Sequence, residues 1–170
     1  MKHKHLKRLD RIWKDNPIFY ITTCTFKRKA ILNSQEISEI LISEWRVAKD
    51  RHGWAIGSYV IMPDHVHFFC FPTSRAISLS SFVGTWKQWT SKRISKELGP
   101  VAAVVDRGQD NPEVAEISFL SIWQRGFFDH LLRSEESYEE KRDYVLNNPV
   151  RAGLVEKSQD WHYWGYLDFL

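Results

Sequence analysis

The segment Trp54 to Phe71 constrains the fold more than any other part of the chain. Trp54 to Ile61 is aromatic and β-branched, Met62-Pro63-Asp64 is a tight connection, and His65 to Phe71 returns as the antiparallel partner. The second strand carries two histidines two residues apart. Side chains at i and i+2 leave one face of a strand, so His65 and His67 can reach one small ion together. Val66 and Phe68 anchor the opposite face. An apolar strand that gives two positions to imidazoles gives up burial there, and this points to chemistry.

The flanking segments define the rest. Phe19 to Phe26 is a first strand. Asn33 with Glu36 three residues later resembles a capping box, and opens a helix with Ile37, Ile40, Leu41, Glu44 and Trp45 at helical spacing until Gly53. A second helix runs from about Ser80 to Leu98 and is stopped by Gly99-Pro100. Residues 100–117, with Gly108, Asn111 and Pro112, form an irregular excursion. Phe119 to Trp123 and Phe127 to Arg133 return to strand character. Ser134 caps a third helix, Glu135 to about Asn147, with acids in its first turn, and Pro149 ends it. The order gives an α+β sandwich with a mostly antiparallel sheet, close to the ferredoxin-like split βαβ arrangement.

At 170 residues this is one domain, spanning 17–160, with a basic arm at 1–16 and an aromatic tail at 161–170 that packs back on it. The net charge of +3 is mild, but the first fourteen residues hold six Lys or Arg against Asp10 alone. Such an arm is either a solvated tail or a phosphate-contacting one. The apolar run Ile18 to Phe26 is interrupted by threonines and lacks a cleavage site, so it is no signal peptide; nothing approaches a membrane span. Cys24 and Cys70 lack ligand spacing and are expected as buried free thiols in a reducing cytoplasm.

Two imidazoles do not complete a metal site. A phosphate-hydrolysing histidine triad would need a third His where Phe69 stands; a cupin would need an all-β barrel, and a structural zinc site four ligands. The stretch Arg142 to Pro149 offers other donors. Tyr144 and Asn148 are four apart and share a face of the third helix. A phenol is a usable nucleophile once its proton is removed at low cost, and an amide oxygen can join two imidazoles around an ion. Asn148 precedes proline and is biased out of helical geometry, which leaves Asn147 as its substitute.

These residues resemble the HUH single-tyrosine transposases, and among them the REP-associated tyrosine transposases, relatives of insertion-sequence transposases. Three ordered blocks carry the resemblance: Val60 to His67, Trp123 to Arg133, and Tyr144 to Val155. The resemblance implies that His65, His67 and Asn148 hold Mg²⁺ or Mn²⁺. It implies that Tyr144 attacks a phosphodiester of single-stranded DNA beside a hairpin, leaving a 5′-phosphotyrosine and a free 3′-OH. Asn at 148, where the insertion-sequence branch often has Gln, favours the REP-associated branch. His130 is either strand-end packing or an auxiliary donor at the phosphate. Lys2, Lys4, Lys7, Arg8 and Arg11 of the arm, and Lys87, Lys92, Arg93 and Lys96 of the second helix, are expected to contact DNA. The expected setting is the bacterial cytoplasm, as a monomer or homodimer. Two other functions fit the sequence: a domesticated hairpin-binding protein that cuts weakly or not at all, and a nuclease that uses water in place of tyrosine.

Overall fold

The computed structural model describes residues 17–99, 122–132 and 135–168, and for 135–137 the backbone only. The basic arm with its five expected DNA-contacting residues, the 100–117 excursion and the Ser134 cap lie outside the described residues.

The elements in order are β1 (Ile18–Cys24), α1 (Gln35–Arg46), α2 (Ala48–His52), β2 (Trp54–Met62), β3 (His65–Pro72), α3 (Leu79–Leu98), β4 (Phe128–Leu132), α4 (Glu135–Leu146), α5 (Asn148–Arg151) and β5 (Trp164–Tyr166). The sheet order is β4-β1-β3-β2-β5, and every pairing is antiparallel. The first four strands in that order, with α1 and α3 on one face, are the split βαβ arrangement expected from the sequence. No described helix is long and apolar enough to cross a membrane.

Strand alternation sorts the core onto the two faces. Ile21, Ile61, Val66 and Phe68 pack with Ile37, Leu41 and Trp45 of α1 and Phe82, Val83 and Trp86 of α3. Trp45 and Trp86 stack there, 5.1 Å apart and nearly parallel. On the opposite face Tyr20, Val60, Met62, Phe69 and Leu132 meet Val145 of α4 and Trp161. Each fully buried large side chain in these layers contributes roughly 1.5–3 kcal/mol. The anchoring role of Val66 and Phe68 is as expected, for both are fully buried on the α1–α3 side.

Several boundaries differ from the sequence expectation. Ser34, not Asn33, caps α1; its Oγ accepts from the Ile37 amide. Leu32 is buried and its amide donates to the Pro63 carbonyl, which holds the chain in the incoming loop through Asn33. The run to Gly53 breaks at Val47 into two helices. Gly53 does end it, at φ +74°, and a Cβ there would lie 2.5 Å from the backbone nitrogen of Ala76. The strand expected at 119–123 appears, among the described residues, as a single bridge between Trp123 and Thr25. Pro149 does not terminate the helical run. It sits in the first turn of α5, where its missing N–H costs nothing. The aromatic tail joins the sheet: β5 pairs with β2, and the Trp161 indole donates to the Ile61 carbonyl.

Candidate active site

The site is built on the sheet face away from α1 and α3. Register places His67 opposite Thr22 of β1 and Val60 of β2, and His65 opposite Cys24 and Met62. On the edge strand, His130 lies opposite Tyr20 and Phe128 opposite Thr22. Cross-strand partners share a face, so both histidines of β3, Tyr20, Thr22, Phe128 and His130 look the same way.

Each imidazole is tied through Nδ1. The Tyr20 and Thr22 hydroxyls both lie 2.8 Å from His67 Nδ1. His65 Nδ1 lies 2.6 Å from Asp64 Oδ1, and Asp64 is paired in turn with the Arg28 guanidinium at 2.8 Å. A carboxylate accepts, so neutral His65 keeps its proton on Nδ1 and its lone pair on Nε2. The two rings are 4.7 Å apart at their centroids. Burial, then the charge His65 carries once protonated and those of Lys141 and Arg28, pushes His67 down to about 3; burial also lowers His65, against the opposing pull of Asp64. Both are therefore neutral imidazoles at physiological pH, the form that ligates metal.

The neutrality of His67 has a measurable consequence for the metal-free protein. An unfolded histidine binds its proton near pH 6.5, whereas folded His67 refuses it down to about pH 3. Stability from this group is complete above pH 6.5 and is lost as the pH falls through that window, by roughly 1.4 kcal/mol per pH unit. Urea midpoints taken between pH 7 and pH 5 should fall accordingly, and His67→Gln should flatten the slope.

Arg28 reaches Asp64 from a turn in which Lys27 and Arg28 both have positive φ, 54° and 56°. The same turn is fastened to the hairpin by the Thr25 amide, which donates to the Asp64 carbonyl. Backbone held in the left-handed region by non-glycine residues costs about 1–3 kcal/mol and persists only where its surroundings enforce it. Asp64→Ala should leave the fold intact; were the histidine pair to hold Mn²⁺, it would also weaken that binding by roughly 10–100-fold, as loss of a ligand-orienting partner does elsewhere, read by isothermal titration calorimetry without DNA.

Helix α4 brings the phenol. Tyr138 fixes it to the sheet, its ring edge-on to Phe69 and its hydroxyl 3.3 Å from Ser58 Oγ, while Val145 is fully buried. One and two turns from Tyr138, Lys141 and Tyr144 line an open groove of about 300 Å³ with Glu140, His130 and Leu132. Tyr144 is 47 % exposed. Lys141 Nζ stands 4.8 Å from the Tyr20 ring centre and 5.2 Å from that of Tyr144; the Arg151 guanidinium lies 4.0 Å from the latter. Tyr20 thus links the halves of the site: its hydroxyl is on His67, its ring under Lys141.

Asn148 is not on the helix of Tyr144, as its spacing implied, but opens α5 after the break at Asn147. The Asn147 amide is already committed, donating to the Asp143 carbonyl at 2.8 Å. Asn148 is partly buried and Asn147 exposed, and since the bond to Asp143 uses the Asn147 nitrogen, neither amide oxygen is singled out. Among the described residues no group of three or more His, Cys, Asp or Glu could hold an ion.

The cations of α3 are not gathered here. That helix covers the opposite face of the sheet. Lys87 donates to the carbonyls of Gln124 and Gly126, and burial brings its ammonium down to about 8. Arg93 pairs with Glu44 of α1, and Lys92 lies over Trp89. Sequence reasoning missed Tyr20, Thr22, Arg28, Lys141 and Arg151. The alternation Tyr20-x-Thr22 was the only available sign of the first two.

Residues 15–148 match the family described as "Transposase IS200 like". The chain belongs to that family. A REP-associated tyrosine transposase of Escherichia coli K12 is 25% identical over 117 residues, covering 68% of this chain and 56% of the relative. A Haemophilus influenzae protein named for the same transposases is 28% identical over 103 residues, covering 61% and 53%. The chain thus spans about half the length of the curated relatives it matches. Among solved structures, a REP-associated tyrosine transposase bound to a REP hairpin superposes with a TM-score of 0.59 at 21% identity, covering 89% of this chain and 76% of that one. A transposase structure from Deinococcus radiodurans gives 0.52 at 18%, covering 81% and 94%. These likenesses establish the fold as that of IS200-like transposases.

Proposed function

We propose that this IS200-like protein cleaves and rejoins single-stranded DNA beside a hairpin, with Tyr144 as the nucleophile. The observation that carries the proposal is the bridge through Tyr20, which joins the His65–His67 pair to a groove lined by Tyr144, Lys141 and His130. The hairpin is suggested by the structural neighbour, which was solved bound to a REP hairpin.

The residues that would hold Mg²⁺ or Mn²⁺ are the two neutral imidazoles tied at Nδ1, with the Asn148 amide oxygen as a third donor. Once bound, such an ion would polarise a phosphoryl oxygen, and neutral ligands would leave it its full double charge. The chain's residues do the rest. Lys141 and Arg151 place positive charge beside the Tyr144 ring, where an incoming phosphate needs it. Tyr144 Oη forms a bond to phosphorus as the bond to the 3′ oxygen breaks. The phenolic proton leaves to a base or water in the groove, and the departing 3′ oxygen takes up a proton, a role we assign to His130 of the groove lining. One phosphodiester is exchanged for another, so the reverse reaction can rejoin strands without an energy source.

The test is to incubate wild-type protein with a labelled hairpin carrying a single-stranded flank, with and without Mg²⁺ or Mn²⁺. A metal-dependent nick together with a protein-linked labelled band is expected. Tight binding without nicking would identify a hairpin-binding protein instead, and a nick with no linked product a water-using nuclease.

A further inference from the structure

We propose that Phe128 is a stacking platform for a nucleobase adjoining the phosphate that Tyr144 addresses. This rests on the reading of the groove as a single-stranded DNA site, but not on cleavage. A lone exposed phenylalanine ordinarily needs no explanation. The place of this one sets it apart. Phe128 is 55 % exposed on the edge strand, in a run whose exposed positions, 128 and 130, both point to the histidine face. Its ring stands edge-on to Tyr20 at 6.3 Å, so it is braced by the residue that holds His67 without being covered by it.

The surroundings favour a nucleotide over an apolar partner. Lys141 lies against the same Tyr20 ring, His130 is two residues along the strand, and Arg151 flanks Tyr144. An open aromatic ring on the same face as two cations, Lys141 and Arg151, is the combination that binds single strands, bases stacking while the backbone is neutralised. A protein surface docking here would have to cover those charges. Trp89 is similarly exposed, but it lies on α3 across the sheet and serves as an internal control.

The experiment titrates Tyr144→Phe protein with a short thymidine oligonucleotide containing one 2-aminopurine, following fluorescence quenching and anisotropy. Wild-type Phe128 should quench the probe. Phe128→Ala should lose the quench and roughly tenfold or more in affinity, Phe128→Trp should keep both, and Trp89→Ala should change neither. Phe128→Leu, which preserves bulk and guards against misfolding, should also lose the quench. Wild-type behaviour in Phe128→Ala, or full recovery in Phe128→Leu, would overturn the platform. So would loss of self-association in Phe128→Ala with DNA binding intact, which would assign the patch to a second copy of the chain. Phe128-dependent quenching in a wild-type protein that never forms a covalent product would uphold the platform while sinking the cleavage reading.

Discussion

Replacing Tyr144 by phenylalanine is expected to abolish the covalent protein–DNA product while leaving hairpin binding within a few-fold of wild type. The substitution deletes one oxygen. The aromatic ring persists, with its faces still available to Lys141 and Arg151, and the side chain is half exposed, so stability should change by no more than about 0.5 kcal/mol. Cleavage should fall by roughly a thousandfold or more, since Tyr144 carries the only hydroxyl among the described residues lining the groove. Measuring binding by anisotropy and adduct by denaturing gel on the same preparation separates the two effects. Undiminished adduct in Tyr144→Phe would remove this residue from the mechanism.

His67→Ala should have the second-largest effect, with two separable parts. The first is structural. Tyr20 is almost fully buried, and its hydroxyl and that of Thr22 both converge on His67 Nδ1. Removing the ring strands these hydroxyls at a cost of about 1–3 kcal/mol and leaves a cavity between Tyr20 and the hairpin. The melting temperature should drop accordingly. The second part is functional: Mn²⁺ binding in the absence of DNA should fall by at least about 100-fold, because a donor is lost where even its hydrogen-bonding partners are worth 10–100-fold. His65→Ala should match the loss of metal binding at a smaller cost in stability, since Asp64 retains Arg28. Metal-dependent nicking that survives His67→Ala would show that the pair does not hold the ion.

How far the sequence carried these conclusions depended on whether a signal was local. The hairpin of β2 and β3 was legible because period-two alternation and a Pro-Asp turn are written in adjacent residues. The His65–His67 face followed from the same period. Tyr20 was not legible, because its role depends on β1 lying beside β3 in one register, a pairing across 47 residues. Lys141 was hidden for a similar reason: helical spacing puts it near Tyr144 but does not tell which sheet face α4 covers. The place of the basic residues of α3 was not legible either. Their pattern shows an amphipathic helix, and only the topology reveals that this helix lies across the sheet from the histidines. Pro149 suggested a stop by the rule that helices end before proline, yet it serves as the start of α5, where the same missing N–H is harmless.

If Tyr144 is the nucleophile, its phenol becomes covalently joined to DNA. The most direct measurement is mass spectrometry of the wild-type protein after reaction with a hairpin bearing a single-stranded flank in Mn²⁺, followed by nuclease and protease digestion. One modified peptide is expected, carrying a nucleotide linked through its 5′ phosphate to Tyr144. Cleaved DNA with a free 5′ phosphate and no modified peptide, or an adduct on any other residue, would contradict it.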